Sequence, residues 1–172
     1  CFFEYQRQIT SRTLTSVAQQ LTGRNTVVVH CQRAGATIIF AGSEAGHVMY
    51  EETDEKGTGK EIWLTYETCS NIRKWLFSGK DKTAVHDAQA LHVFTHEAIH
   101  TMGERNEART ECSAILSDVK TFEKLGADEE VAKTLASEYQ KEIYPRMPTN
   151  YITNCAQQPK LYTMPAKKTS AE

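Results

Sequence analysis

The stretch His96-Glu97-Ala98-Ile99-His100 decides the fold, because it places an HExxH motif inside the longest segment with helical apolar spacing, residues 83–102. Histidines four positions apart project from one face of a helix, about 6 Å from each other, so both imidazoles can reach one metal ion. Glu97 lies one position further round the helix and would face a water on that ion. Zn²⁺ lowers the pKa of such a water towards neutrality, so the motif predicts a zinc site with Glu97 as general base.

A hydrolytic zinc site needs a third protein ligand, and Glu107 is the candidate. On an unbroken helix Glu107 would lie about 10 Å beyond His100 along the axis, too far to share the ion. Gly103 can adopt a left-handed conformation and end the helix, so that a second helix carries Glu107 back towards the metal. Glu111, one turn later on the same face, either accepts a hydrogen bond from the free nitrogen of a ligand histidine or replaces Glu107 as the ligand.

The two motifs together resemble those of the gluzincin class of zinc metallopeptidases. In that class the second motif reads N-E-x-x-S/T-D/E, and the run Asn106-Glu107-Ala108-Arg109-Thr110-Glu111 matches it. The resemblance implies that Glu107 binds zinc and that Glu111 orients a histidine. The spacing between the two motifs is shorter here than is usual in that class.

Two further resemblances involve the same region. Residues 96–106 are similar to the metzincin pattern HExxHxxGxxH, with Gly103 in its expected place and Asn106 where the third histidine would stand. The resemblances imply a zincin-like fold, in which a small mixed sheet packs against the HExxH helix and the helices that follow it. The similarity to small exported bacterial HExxH proteins rests on residues 96–112 together with Tyr144-Pro145, Pro148, Tyr151 and Cys155.

The remaining sequence predicts an α+β domain. Its elements come in the order helix, small sheet, helices, and we expect one domain over residues 1–166, an N-terminal helix within residues 1–22 and a disordered tail at 167–172. β-Branched runs bounded by glycine and charged residues predict the strands, and apolar periodicity predicts the helices. The predicted strands are 25–31, 36–41, 47–50 and 61–66, and the predicted helices are 5–21, 69–77, 83–102, 107–125 and 129–141.

The five cysteines indicate the compartment. None belongs to a C-x-x-C pair, so a thiolate zinc ribbon is not indicated. Four widely spaced cysteines suit an exported protein with two disulfides, and we favour Cys31 with Cys69 and Cys112 with Cys155, leaving Cys1 free. Four cysteines allow three pairings, and buried free thiols in a cytosolic protein are the alternative.

Composition and the N-terminal residues indicate whether nucleic acid or a membrane is an expected partner. The 172 residues carry a formal net charge of -2, which does not favour nucleic acid as a partner. No apolar run is long enough to span a membrane. The cluster Cys1-Phe2-Phe3 before polar residues could be the remnant of a membrane anchor or signal, or simply the boundary of this stretch of sequence.

A few other side chains are candidates for the site. Tyr144 and Tyr151 could each hydrogen-bond the oxyanion of a substrate, although packing roles are the alternative. Residues 62–66 form either the sheet edge that aligns an extended peptide or a core strand. His92, one turn before His96, is expected to support a ligand or pack in the core rather than to bind metal.

These observations predict a secreted or extracytoplasmic zinc hydrolase that acts on peptide bonds. Glu97 would take a proton from the zinc-bound water and pass it to the leaving amine. The first alternative is a catalytically inactive, metal-stabilised extracellular binding or scaffold domain, with Glu111 or another side chain in the fourth position. The second is an envelope-associated interaction domain without metal.

Overall fold

The computed structural model describes residues 2–35, 45–50, 59–159 and 161–162. The predicted strand 36–41, the tail at 167–172 and Cys1 lie outside the described residues. The described residues confirm an α+β protein, with five α-helices and a three-stranded mixed sheet among them. In chain order they are α1 (Phe2–Thr22), β1 (Val28–Cys31), β2 (Gly46–Met49), β3 (Glu61–Leu64), α2 (Tyr66–Phe77), α3 (Val85–His100), α4 (Glu107–Lys124) and α5 (Glu129–Glu138).

The described strands form one sheet in the order β1-β3-β2. β1 runs parallel to β3 with Val29 opposite Ile62, and β2 runs antiparallel to β3 with Val48 opposite the same residue. β3 is therefore central, and residues 62–64 belong to a core strand instead of an edge. The strand ends before residues 65 and 66 because the Thr65 side chain accepts a hydrogen bond from the Thr68 amide and caps α2.

α3 is the central helix of the protein, and most of its circumference is buried. It packs against α1, α2, α4, α5 and β2, which explains why its apolar residues are not confined to one stripe. Each fully buried aliphatic or aromatic side chain contributes about 1.5–3 kcal/mol by transfer free energy. The largest of these side chains include Trp75, Phe94, Phe122, Leu14 and Leu91.

The end of α5 differs from the predicted helix 129–141. Asp128 caps the helix at the predicted position by accepting from the Val131 amide. After Glu138 the backbone widens into a π-helical turn, Tyr139–Ile143, and then tightens into a 3₁₀ turn, Tyr144–Arg146. Pro145 lacks the amide hydrogen that would continue the regular ladder, so the helical segment cannot extend regularly past it.

Both favoured disulfides are confirmed. Cys31–Cys69 joins β1 to α2, and Cys112–Cys155 joins α4 to the segment after the last helix. Two disulfides suggest an oxidising, extracytoplasmic environment. Within the parts of the chain that the structure describes, no helix has both the length and the apolar character needed to cross a membrane.

Candidate metal site

Three ligand atoms converge where α3 and α4 meet. The Nε2 atoms of His96 and His100 lie 3.0 and 3.3 Å from the same carboxylate oxygen, Oε2 of Glu107. Both histidines are buried, and the Glu107 side chain keeps about a third of its surface in contact with solvent. The structure therefore brings together the three predicted ligands.

The chain reverses at the predicted glycine. α3 ends at His100, and Gly103, with φ of 96°, donates its amide to the His100 carbonyl at 3.0 Å. A left-handed conformation of this kind is one that side chains other than glycine rarely adopt. Asn106 then caps α4 by accepting from the Arg109 amide, so Glu107 becomes the first residue of the returning helix.

Hydrogen bonds on the far side of each imidazole set the tautomer. Nδ1 of His96 lies 2.8 Å from Oε2 of Glu111, and Nδ1 of His100 lies 2.7 Å from the carbonyl oxygen of Glu104. Since both partners are acceptors, each Nδ1 donates to its partner, and each Nε2, which faces Glu107, is the nitrogen that is left to bind a metal ion. Glu111 therefore lies on the opposite side of the His96 ring from the three converging atoms.

The distances and charges of this cluster fit a small divalent cation. Zinc bonds of 2.0–2.2 Å in a tetrahedral arrangement place neighbouring ligand atoms about 3.4 Å apart. The two Nε2 atoms lie at close to this distance, 3.0 and 3.3 Å, from Oε2 of Glu107, and all three atoms lie within 4.8 Å of one another. Burial disfavours the ionised form of Glu107, but hydrogen bonds to His100 and His96 outweigh it and lower the pKa of Glu107 to about 2. Glu107 is thus a carboxylate at neutral pH. The buried His/Glu group could hold a metal ion.

Glu97 lies beside the cluster and is almost completely buried, with 4% of its surface exposed. Its Cγ and Oε1 pack against Gly46 of β2, where a methyl group in place of the glycine hydrogen would lie only 3.0 and 3.2 Å from them. Its Oε2 has no hydrogen-bond partner among the described residues. Burial raises the pKa of Glu97, which strengthens it as a base.

Behind the ligands lies a second buried cluster around Glu111. His92 lies between two carboxylates, with Nδ1 2.7 Å from Asp118 and Nε2 3.1 Å from Glu111. Burial opposes its charged form, but Asp118 and Glu111 raise the pKa of His92 to about 10. The Tyr139 hydroxyl donates to Oε1 of Glu111. Helical spacing could have indicated Asp118, two turns after Glu111 on α4, whereas no local signal indicates Tyr139.

The two predicted tyrosines have different surroundings. The ring of Tyr151 lies 5.7 Å from that of His96, and burial together with Glu107 and Glu97 raises the pKa of Tyr151 to about 12, so its hydroxyl keeps its proton. The Tyr144 hydroxyl instead donates to the Thr153 carbonyl at 2.9 Å and accepts from the Thr153 amide at 3.1 Å. Of these two tyrosines, Tyr151 is the one whose ring lies beside a candidate ligand.

Sequence reasoning missed one further tyrosine near the ligands. The Tyr50 hydroxyl lies 3.4 Å from the His100 carbonyl, and the Arg105 guanidinium lies 4.1 Å from the centre of the Tyr50 ring. Burial raises the pKa of Tyr50 to about 12. Tyr50 follows a strand that is far from α3 in the sequence, so no spacing rule connects them.

A cavity of about 420 Å³ lies beside His96 and Glu97. The opposite wall of this cavity is formed by the π-helical turn and the residues after it, and that wall is largely apolar. A larger cavity of about 490 Å³ lies between α1, α2 and the end of β1, and none of the site residues lines it. The apolar lining of the first cavity comprises Ala45, Val93, Ile143, Met147 and Pro148.

Comparison with known proteins identifies no relative. No protein-family model matches the sequence, no curated protein matches it, and no solved structure matches it. Function must therefore be inferred from the side chains of this site.

Proposed function

We propose that the protein is an extracytoplasmic zinc-dependent peptidase. The observation that carries the proposal is the convergence of Nε2 of His96, Nε2 of His100 and Oε2 of Glu107 on one point. Two neutral imidazoles and one carboxylate form a donor set that suits zinc in hydrolytic enzymes. Three protein ligands leave one coordination position for water or substrate.

His96, His100 and Glu107 would hold the ion. Nδ1 of each histidine donates to an acceptor, and Glu107 is fixed at the first position of α4. When bound, zinc lowers the pKa of a water and polarises a carbonyl. The remaining requirements fall to the protein: a base for the proton, a donor for the developing oxyanion and a surface that holds the substrate.

Glu97 is the base. Its buried Oε2, which has no hydrogen-bond partner among the described residues, can accept a proton from the attacking water and later pass that proton to the leaving amine. Tyr151 is the oxyanion donor, because its ring lies 5.7 Å from that of His96 and lines the same cavity as Glu97, and its raised pKa keeps the hydroxyl protonated. The apolar wall of the cavity beside Glu97 favours a substrate with an apolar side chain next to the scissile bond.

A non-catalytic, metal-stabilised scaffold would need the fourth position filled by a protein ligand. Glu111 is the predicted candidate for that position, but it hydrogen-bonds Nδ1 of His96, on the other side of the ring from the ligand atoms. This placement favours an open site and hence the peptidase.

The test combines metal analysis with peptide cleavage. We expect about one zinc per chain in the wild type and in Glu97→Gln, and loss of zinc in His96→Ala and Glu107→Gln. A peptide-library assay should show cleavage by the wild type only, so Glu97→Gln separates loss of the base from loss of the metal.

Each contrary result has a definite meaning. Absence of zinc from the wild type after zinc is supplied would refute the metal site. Full activity of Glu97→Gln would refute the assigned base. Bound zinc without cleavage of any peptide in the library would favour the scaffold domain.

A further inference from the structure

A continuous chain of buried polar side chains leads from the first histidine ligand into the protein. Nδ1 of His96 lies 2.8 Å from Oε2 of Glu111, Oε1 of Glu111 lies 3.1 Å from Nε2 of His92, and Nδ1 of His92 lies 2.7 Å from Oδ2 of Asp118. We call these four residues the relay. It connects α3 and α4 three times, once through His96 and twice through His92.

The inner members of the relay are almost completely buried, and His92 and Glu111 contribute to the lining of the cavity beside His96. The side chains of His92, Glu111 and Asp118 are 2%, 1% and 0% exposed. Tyr139 closes the remaining side, since its ring stacks on His92 at 3.5 Å and its hydroxyl donates to Glu111. Both carboxylate oxygens of Glu111 are therefore engaged by side-chain donors.

Burying these charged side chains has a desolvation cost in folding free energy, and packing alone does not explain why they are there. Burying two carboxylates requires donors of good geometry, and apolar residues of similar volume would fill the same space without that requirement. Tyr139 donates to Oε1 of Glu111, and His92 lies 3.1 Å from the same oxygen as an ion pair that lacks hydrogen-bond geometry. The other oxygen of Glu111 accepts from His96 and determines the orientation of that ligand ring. Because partners of metal-binding histidines fix the ring and its tautomer, a partner that is itself held rigidly transmits that rigidity to the ligand.

We propose that His92 and Asp118 are positioning residues that hold the Glu111 carboxylate and thereby preorganise His96 for metal binding. The inference depends on the proposed zinc site but not on peptidase activity. It assigns a role to a histidine that lies one turn before the motif and to an aspartate at the centre of α4.

An alternative occupant of the same region is a second metal ion, because His92, His96 and Glu111 also offer ligand atoms within 4.8 Å of one another. Such an ion would compete with the hydrogen bonds from Tyr139 and from Nδ1 of His96 to Glu111. The relay therefore predicts one zinc per chain, and two per chain would refute it.

The experiment measures metal binding in Asp118→Asn. Zinc affinity is determined by competition with a chromophoric chelator, and cobalt is substituted for zinc so that its visible absorption reports the ligand geometry. We expect Asp118→Asn and His92→Gln to weaken zinc binding by at least about tenfold, the lower end of the range for partners of metal ligands, and to change the cobalt spectrum.

The matched control is Asp87→Asn. Asp87 is also a buried aspartate, but it lies in the first turn of α3 with His86 as its neighbour at 3.4 Å. A purely structural role for Asp118 would lower the thermal stability of both variants and leave zinc affinity and the cobalt spectrum unchanged. That result would overturn the proposal.

Tyr139→Phe keeps the test decisive if Asp118→Asn does not fold. This variant removes only the hydroxyl that donates to Glu111, and the loss of one hydrogen bond predicts about two- to tenfold weaker zinc binding. Unchanged affinity would refute the relay. A wild type that binds zinc but cleaves no peptide would refute the peptidase alone, because all of these readouts are independent of turnover.

Discussion

Replacing Gly46 by alanine should displace Glu97, the proposed catalytic base, without touching a proposed metal ligand. An added Cβ would lie 3.0 Å from Cγ and 3.2 Å from Oε1 of Glu97, and 3.0 Å from Cδ2 of Leu64. Leu64 is fully buried in the sheet, whereas Glu97 borders a cavity. The Glu97 side chain is therefore the neighbour that can move.

The distances set the size of the effect. Carbon atoms in ordinary contact are about 3.5–4.0 Å apart, so Glu97 must move by about 0.5 Å. A reacting group that is misplaced by about 1 Å costs about 100-fold in rate, so about 0.5 Å corresponds to about a tenfold lower kcat. We expect zinc content to be unchanged, because the atoms nearest the new methyl group belong to Glu97 and Leu64 and not to a ligand.

The assay compares kcat on the best substrate from the peptide library with zinc content and thermal stability. A second variant that combines Gly46→Ala with Leu64→Val removes the opposing methyl group and should restore part of kcat, since the added Cβ can then turn away from Glu97. An unchanged kcat in folded, zinc-loaded Gly46→Ala would refute the view that β2 positions the base.

Three other perturbations test the metal, a disulfide and the cavity. Zinc at about a thousand times its Kd should stabilise the folded protein by about 4 kcal/mol. For a chain of this length that free energy raises Tm by about 8–16 °C in a thermal melt, and Glu107→Gln should lose most of the rise. Replacing Cys112 and Cys155 by alanine removes a cross-link between residues 43 apart, and urea unfolding should show a loss of about 4 kcal/mol with zinc content retained. Met147→Glu places a charge in the apolar wall of the cavity, so library profiling should show a shift from apolar towards basic side chains beside the scissile bond.

The sequence predicted those parts of the site that local spacing determines. Two histidines four apart on a helix must share a face, and a glycine three residues later allows the chain to reverse. These two facts predicted that the chain brings Glu107 and Glu111 back to the histidines, but they left open which of the two is the ligand. The structure places Glu107 at Nε2 of His96 and Glu111 at Nδ1 of the same ring. The disulfide pairing was also predicted, although other pairings were open.

The parts that depend on long-range packing were not predictable from spacing. Short apolar strands carry no signal for their order in a sheet, so the central position of β3 came only from the structure. Tyr139 reaches Glu111 from a π-helical turn, and Tyr50 reaches His100 from the end of β2. Neither contact has a sequence period that could reveal it.

Different elements of the fold carry the proposed metal ligands, the position of Glu97 and the apolar cavity wall. All three candidate ligands and the relay residues His92 and Asp118 belong to α3 and α4, which form one helical hairpin around Gly103. Glu97, the proposed base, is held against β2, and the apolar cavity wall belongs mostly to the segment after α5 that Cys155 ties to α4. Metal affinity should therefore respond to changes within the hairpin and at Tyr139, which donates to Glu111, whereas turnover and substrate preference should respond to changes in β2 and the rest of the tied segment.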